Sequence, residues 1–160
     1  IWRISETYLM LITTTLGVYY LPKLSSLQSK SELRAELLYG YKIIMPIVIV
    51  MALGIYIFRD LIIEILFTKE FSPMAELFLY QLIGDVIKIA AWLLGFIMVA
   101  KAMTKLSIFG EILFTLSFVG LVIFFVNLYG LIGVTIAFMV NYFMYLIFLY
   151  FSLKGYLSAA

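Results

Sequence analysis

ILFTLSFVGLVIFFVNLYGLIGVTIAFMVNYFMYLIFLYFSL, residues 112–153, contains no Asp, Glu, Lys or Arg. A helix that crosses the hydrocarbon core of a bilayer needs about 20 mostly apolar residues. This run is about twice that length, so the chain must turn inside it. Asn127 and Gly130, within NLYG (127–130), are its only good turn formers. The stretch therefore reads as two spanning helices joined by a tight break, over about 106–126 and 131–153.

The same pattern extends toward the N-terminus. Charges and prolines divide the remainder into three more candidate spans, over about 4–22, 33–67 and 74–102. The first ends at Pro22. The polar run KLSSLQSKSELRAE (23–36) follows, with Ser31 placed to cap the second helix. Pro46 and Gly54 are that helix's expected bend points. TKEFSP (68–73) is a short turn into the third span, with Ser72 as cap, Pro73 in the first turn and Glu76 at the positive helix end. The fold class is all-α: a polytopic bundle of five transmembrane helices.

Composition agrees. Hydrophobic residues make up 66% of the chain and charged residues 12%, with a mean hydropathy of +1.16. A soluble domain is about half apolar and about a quarter charged. The net charge of +2 gives no case for nucleic acid. With no Cys and no His, disulfides, thiolate or imidazole metal sites, and Ser-His-Asp or Cys-His catalysis are excluded. No catalytic residue, metal or cofactor is implied. The chain begins at Ile1 with neither Met nor a signal-peptide pattern, which suggests a portion of a longer protein.

Orientation follows from the basic residues. Lys23, Lys30, Arg34, Lys42, Lys101, Lys105 and Lys154 fall on one side, against Arg3, Arg59 and Lys69 on the other. The first side is therefore expected to be cytoplasmic, with the C-terminus there and the N-terminus outside. Trp2, Tyr19, Tyr20, Tyr129 and Tyr156 lie near the expected interfaces, as an aromatic belt would.

Three charges interrupt this pattern. Asp85 and Lys88 lie in the third span and Glu111 in the fourth. A charge inside the membrane costs several kcal/mol on most scales and usually faces a cavity or a partner. Gln81, Asp85, Lys88, Trp92 and Gly95 are spaced 4, 3, 4 and 3, forming one stripe on a helix face. Asp85 is nine residues beyond Glu76, roughly 14 Å down the helix at 1.5 Å per residue, near the bilayer midplane. Ser107, Glu111 and Thr115 form a second stripe, and the short loop between the two helices would let the stripes share a space. Two readings stand side by side. Asp85 and Lys88 neutralise each other as a structural ion pair while Glu111 bonds a hydroxyl of another helix, or the three line a polar cavity. Glu111, with no basic partner on its own face, is the better candidate for proton binding. On the last helix Gly130, Gly133, Ala137 and Asn141 make a small face suited to helix packing, and Asn141 and Tyr142 are also placed to line a cavity. The basic residues Lys23, Lys30, Arg34, Lys42, Lys101 and Lys105 are accounted for by the positive-inside bias and anionic headgroups. Attraction of a pyrophosphate headgroup is the sharper alternative.

The order of features resembles a known family. YYLPKLSSL ends the first span, RDLIIEILFTKEFSPM closes the second, QLIGDVIKIAAWLLGFIMVAKAMTKL forms the third, and NLYGLIGVTIAFMVNYF joins the last two. In these segments, and over nearly its whole length, the chain resembles the C-terminal part of a Wzx-type polysaccharide flippase of the MOP exporter superfamily. Within that superfamily it is most similar to flippases of enterobacterial common antigen lipid III and of O-antigen units. The resemblance implies a two-lobed protein of twelve helices, with this chain as most of the C-terminal lobe and the N-terminal lobe missing. It implies an inner-membrane transporter, not an enzyme, that moves an undecaprenyl-pyrophosphate-linked oligosaccharide to the periplasmic leaflet by alternating access. Asp85, Lys88 and Glu111, with Gln81 and Asn141, match the expected cavity positions. The implied partners are the lipid-linked substrate, the bilayer, the upstream lobe and the glycan polymerase machinery. A cation-coupled drug antiporter of the same superfamily is the alternative, and Lys88 counts against it. A membrane polymerase or glycosyltransferase would need a larger extramembrane loop than residues 23–36 supply. A scaffold without transport would leave the midplane charges without purpose.

Overall fold

A computed structural model describes residues 1–66 and 74–158, and all of its regular structure is helical. Helix α1 runs over Trp2–Thr15 and passes through a π-helical turn, Leu16–Tyr20, into α2 at Leu21–Ser26. Then follow α3 (Lys30–Ile57), α4 (Arg59–Leu66), α5 (Ala75–Ala100), α6 (Thr104–Tyr129) and α7 (Ile132–Ser158). Four of these, α3, α5, α6 and α7, are long and apolar enough to cross a membrane. The chain is a polytopic helical membrane protein.

The expected boundaries shift for identifiable reasons. The first helix continues past Pro22 to Ser26. Pro22 has no N–H to offer the carbonyl one turn back, and its ring crowds that carbonyl. The backbone widens just upstream, where the Leu21 N–H bonds the Leu16 carbonyl five residues earlier. The second helix starts three residues sooner than expected, at Lys30, with extended Ser29 in the cap position. Ser31 is not the cap; its hydroxyl pairs with that of Ser29 at 2.6 Å. Pro46 and Gly54 leave α3 unbroken, and the interruption falls at Phe58. The expected TKEFSP turn, with Ser72 and Pro73, lies outside the described residues, whereas Glu76 does sit in the first turn of α5. Asn127 remains helical, so the break of the last pair contracts to Gly130–Leu131. Gly130 has φ +63, a left-handed conformation that glycine adopts without strain. The last helix runs on past Lys154 to Ser158.

Packing centres on α5. Of its most apolar 18-residue stretch 56% is buried, against 6% for α6. Helix α7 packs against both α5 and α6 and lies between them, so α5 and α6 barely touch despite their short connection. Helix α3 packs on the opposite flank of α5, where the Tyr41 hydroxyl donates to the Ala90 carbonyl. Close approach of α5 to α7 needs Gly84, since a Cβ there would lie 2.5 Å from the Phe138 ring. Tyr20 does not join an aromatic belt. It is 4% exposed, stacked edge-on against Phe96 and pressed on Gly40.

The α6–α7 hairpin depends on Gly133. A Cβ at this position would fall 2.2 Å from the Phe125 carbonyl oxygen, a backbone atom that cannot swing aside. We expect Gly133→Ala to cost at least about 1–3 kcal/mol, the usual range for overpacking. A clear drop in the thermal unfolding midpoint of the detergent-solubilised protein would register it, and an unchanged midpoint would contradict this packing.

Candidate functional site

The polar stripe on α5 divides in two. Its outer half is closed. Asp85 is fully buried and Gln81 is 1% exposed. The Asp85 carboxylate accepts from the Tyr8 hydroxyl at 2.9 Å and from the Gln81 amide at 3.2 Å. The Ser5 side chain, also buried, lies beside the same carboxylate. Ser5 and Tyr8 are three apart, so both present to α5 from one face of α1. Asp85 and Lys88 form no ion pair at contact distance, although each still feels the other's charge. Asp85 instead ties α1 to α5, and neither Asp85 nor Gln81 reaches the cavity described next.

The inner half of the stripe opens onto a cavity of about 450 Å³ between α1, α5, α6 and α7. Trp2, Trp92, Glu111, Asn141, Tyr142 and Tyr145 are among its walls. Lys88 stands behind them with its ammonium over three rings: 5.0 Å from the centre of Trp92, 5.7 Å from Tyr142 and 5.9 Å from Phe138. Each such contact is worth about 0.5–2 kcal/mol, which offsets part of the cost of a half-buried cation without cancelling its charge. Trp2 packs edge-on against Phe138 and Phe118 and closes the α1 side. It is a wall residue of the cavity while remaining partly exposed.

Two groups in the cavity wall lack partners among the described residues. Asn141 is 7% exposed, and its side-chain carbonyl oxygen is buried without a hydrogen bond. A buried unpaired acceptor costs about 1–3 kcal/mol, and such groups are rare unless something else satisfies them. Glu111 is exposed, in neither a hydrogen bond nor an ion pair, and the expected bond to a neighbouring hydroxyl is not formed. Of the two stripes, Trp92 and, from the other helix, Glu111 and Thr115 line one cavity, while Lys88 lies behind the ring wall. The reason differs from the short loop: α7 bridges the two helices and contributes the rings. Phe138, Tyr142, Tyr145 and Phe148 recur at spacings of 4, 3 and 3, which marks one face of α7. That spacing is the signal in the sequence that would have identified the aromatic wall.

The basic residues are not one uniform face. Lys23 pairs with Glu36 at 2.9 Å and lies 5.8 Å from both Tyr19 and Tyr39. Lys101 donates to the Leu27 carbonyl, pinning the linker before α3 to the end of α5. Lys30 lies 5.2 Å over the Tyr156 ring. Arg34, Lys42 and Lys105 are exposed.

Comparison with known proteins places the chain. It is 34% identical over 150 residues to the "Lipid III flippase" of Escherichia coli (strain K12), and equally to that of Shigella flexneri. Each match covers 91% of this chain and 36% of the relative, so the chain spans about a third of the length of these curated proteins. No family model matches it, and no solved structure does. The resemblance read from the sequence is borne out: over nearly all of its length the chain is similar to one part of the lipid III flippases.

Proposed function

We propose that this chain forms part of a bacterial inner-membrane flippase that moves an undecaprenyl-pyrophosphate-linked oligosaccharide, a lipid III or O-antigen unit, from the cytoplasmic to the periplasmic leaflet by alternating access. The observation that carries this reading is the similarity to lipid III flippases over nearly the whole chain. The cavity chemistry supports it. Asn141 offers an acceptor and Glu111 a carboxylate to sugar hydroxyls, Trp92 and Tyr142 offer flat apolar faces to sugar rings, and Lys88, behind that ring wall, puts a positive charge close to where a phosphate would sit.

In this reading α1 through α2 is a fifth span, the basic side is cytoplasmic, and the helices of the upstream lobe complete the cavity. The prenyl tail stays in lipid while the head crosses. A cationic drug would meet Lys88, so the antiporter alternative gains no support from the site. Glu111, open to the cavity, is the carboxylate best placed to exchange protons during the cycle. Asp85 holds α1 on α5 and so determines when that contact yields.

The intact protein, expressed in an enterobacterium lacking its lipid III flippase, should restore surface enterobacterial common antigen. A parallel strain lacking an O-antigen flippase discriminates between the two substrates. Persistent accumulation of the lipid-linked intermediate in both strains, with the protein present in the membrane, would overturn the proposal.

A further inference from the structure

A second recess, independent of the transport cavity and sharing no residue with it, opens between α3 and α7 at the basic end of the bundle. Its volume is about 300 Å³. Leu37, Leu38, Leu94 and Leu153 form its apolar floor and side, and Arg34 and Lys154 stand at its mouth. Leu37, Leu94 and Leu153 are buried while Leu38 is 61% exposed, so the groove is lined inside and open toward lipid. Arg34 and Lys154 are both exposed and have no ion-pair partner among the described residues. Among the described residues, no carboxylate lines the recess.

From this we infer that the α3–α7 groove is a binding site for an anionic glycerophospholipid of the cytoplasmic leaflet, its phosphate held by Arg34 and Lys154 and the upper part of an acyl chain laid along the leucines. Charge complementarity selects this occupant. A guanidinium grips a phosphate through two parallel hydrogen bonds, and an ammonium adds a point charge. A zwitterionic headgroup would bring its own cation against both residues. Basic recesses between spanning helices at the cytoplasmic face are suited to anionic headgroups, and each basic residue there adds about a severalfold preference. The leucine floor distinguishes a lipid from free phosphate, which has nothing to lay against it.

Native mass spectrometry of the intact protein in detergent tests the assignment. Added phosphatidylglycerol should give retained one-lipid adducts that phosphatidylethanolamine does not, and millimolar inorganic phosphate should not displace them. Arg34→Gln with Lys154→Gln should weaken retention on the order of tenfold to thirtyfold. Leu38→Trp, which fills the mouth and leaves both cations, should also weaken it. Lipid-free thermal midpoints equal to that of the unaltered protein exclude misfolding of the variants. Equal retention of both lipids, unchanged retention in both variants, displacement by phosphate, or preferential capture of undecaprenyl phosphate would each overturn the assignment. None of these outcomes depends on whether the protein transports glycan.

Discussion

Replacing Lys88 with Met is expected to abolish or nearly abolish glycan export while leaving the protein folded in the membrane. Met has a similar length and flexibility, and its sulfur packs well on aromatic faces. The pocket of Trp92, Phe138 and Tyr142 therefore keeps its filling and loses only the charge. A hydrogen bond to a charged group is worth about 1.5–3 kcal/mol, so an interaction with phosphate lost at this point lowers export on the order of tenfold to a hundredfold. Lys88→Arg keeps the cation and should retain a measurable fraction. The readout is restoration of surface antigen in a flippase-deficient strain, with membrane abundance followed by immunoblot. Full restoration by Lys88→Met at normal abundance would remove Lys88 from the substrate path. Glu111→Gln and Asn141→Leu then separate the remaining contributions: the first removes a charge open to the cavity, and the second fills the wall with a side chain that needs no partner.

Much of this arrangement was legible in the sequence because membrane constraints are severe. The uncharged stretch at 112–153 forced a turn, and Gly130 was a residue able to make it in a left-handed conformation. The stripe from Gln81 to Gly95 was visible from spacing alone. The parts that were not legible depend on partners far away in the chain. Asp85 is 77 residues from Tyr8, with one whole span between their helices, and nothing local tells whether a buried carboxylate meets an ammonium one turn along its own helix or a phenol on another. The order of packing, with α7 between α5 and α6, follows from Gly84 admitting Phe138 and Gly133 admitting the α6 backbone. Gly133 was read as part of a packing face without indicating which neighbour it would receive, and Gly84 was not singled out. The π-helical turn was foreseeable in principle, since Pro22 must disturb the carbonyls before it, but the disturbance resolved as widening rather than as an end to the helix.

Asp85→Ala is expected to release α1 from the bundle. The substitution removes one carboxylate and strands two donors at once: the Tyr8 hydroxyl and the Gln81 amide. Each buried donor left unpaired costs about 1–3 kcal/mol, and no water is at hand in the membrane to relieve it. The thermal midpoint should fall, and amide exchange over residues 2–15 should accelerate well beyond that of α5. Asp85→Asn is the informative companion. Its side-chain oxygen still accepts from Tyr8, and its amide group can donate to Gln81 once that amide turns over, so the tie between the helices survives without a charge. Because Asp85 is closed off from the cavity, Asn at this position should preserve both the protection of α1 and glycan export, whereas Ala should lose both. Loss of export in Asp85→Asn with α1 still protected would show that the carboxylate's charge takes part in the transport cycle. Proton coupling would then belong to the α1–α5 contact, and Glu111 would be left with the substrate.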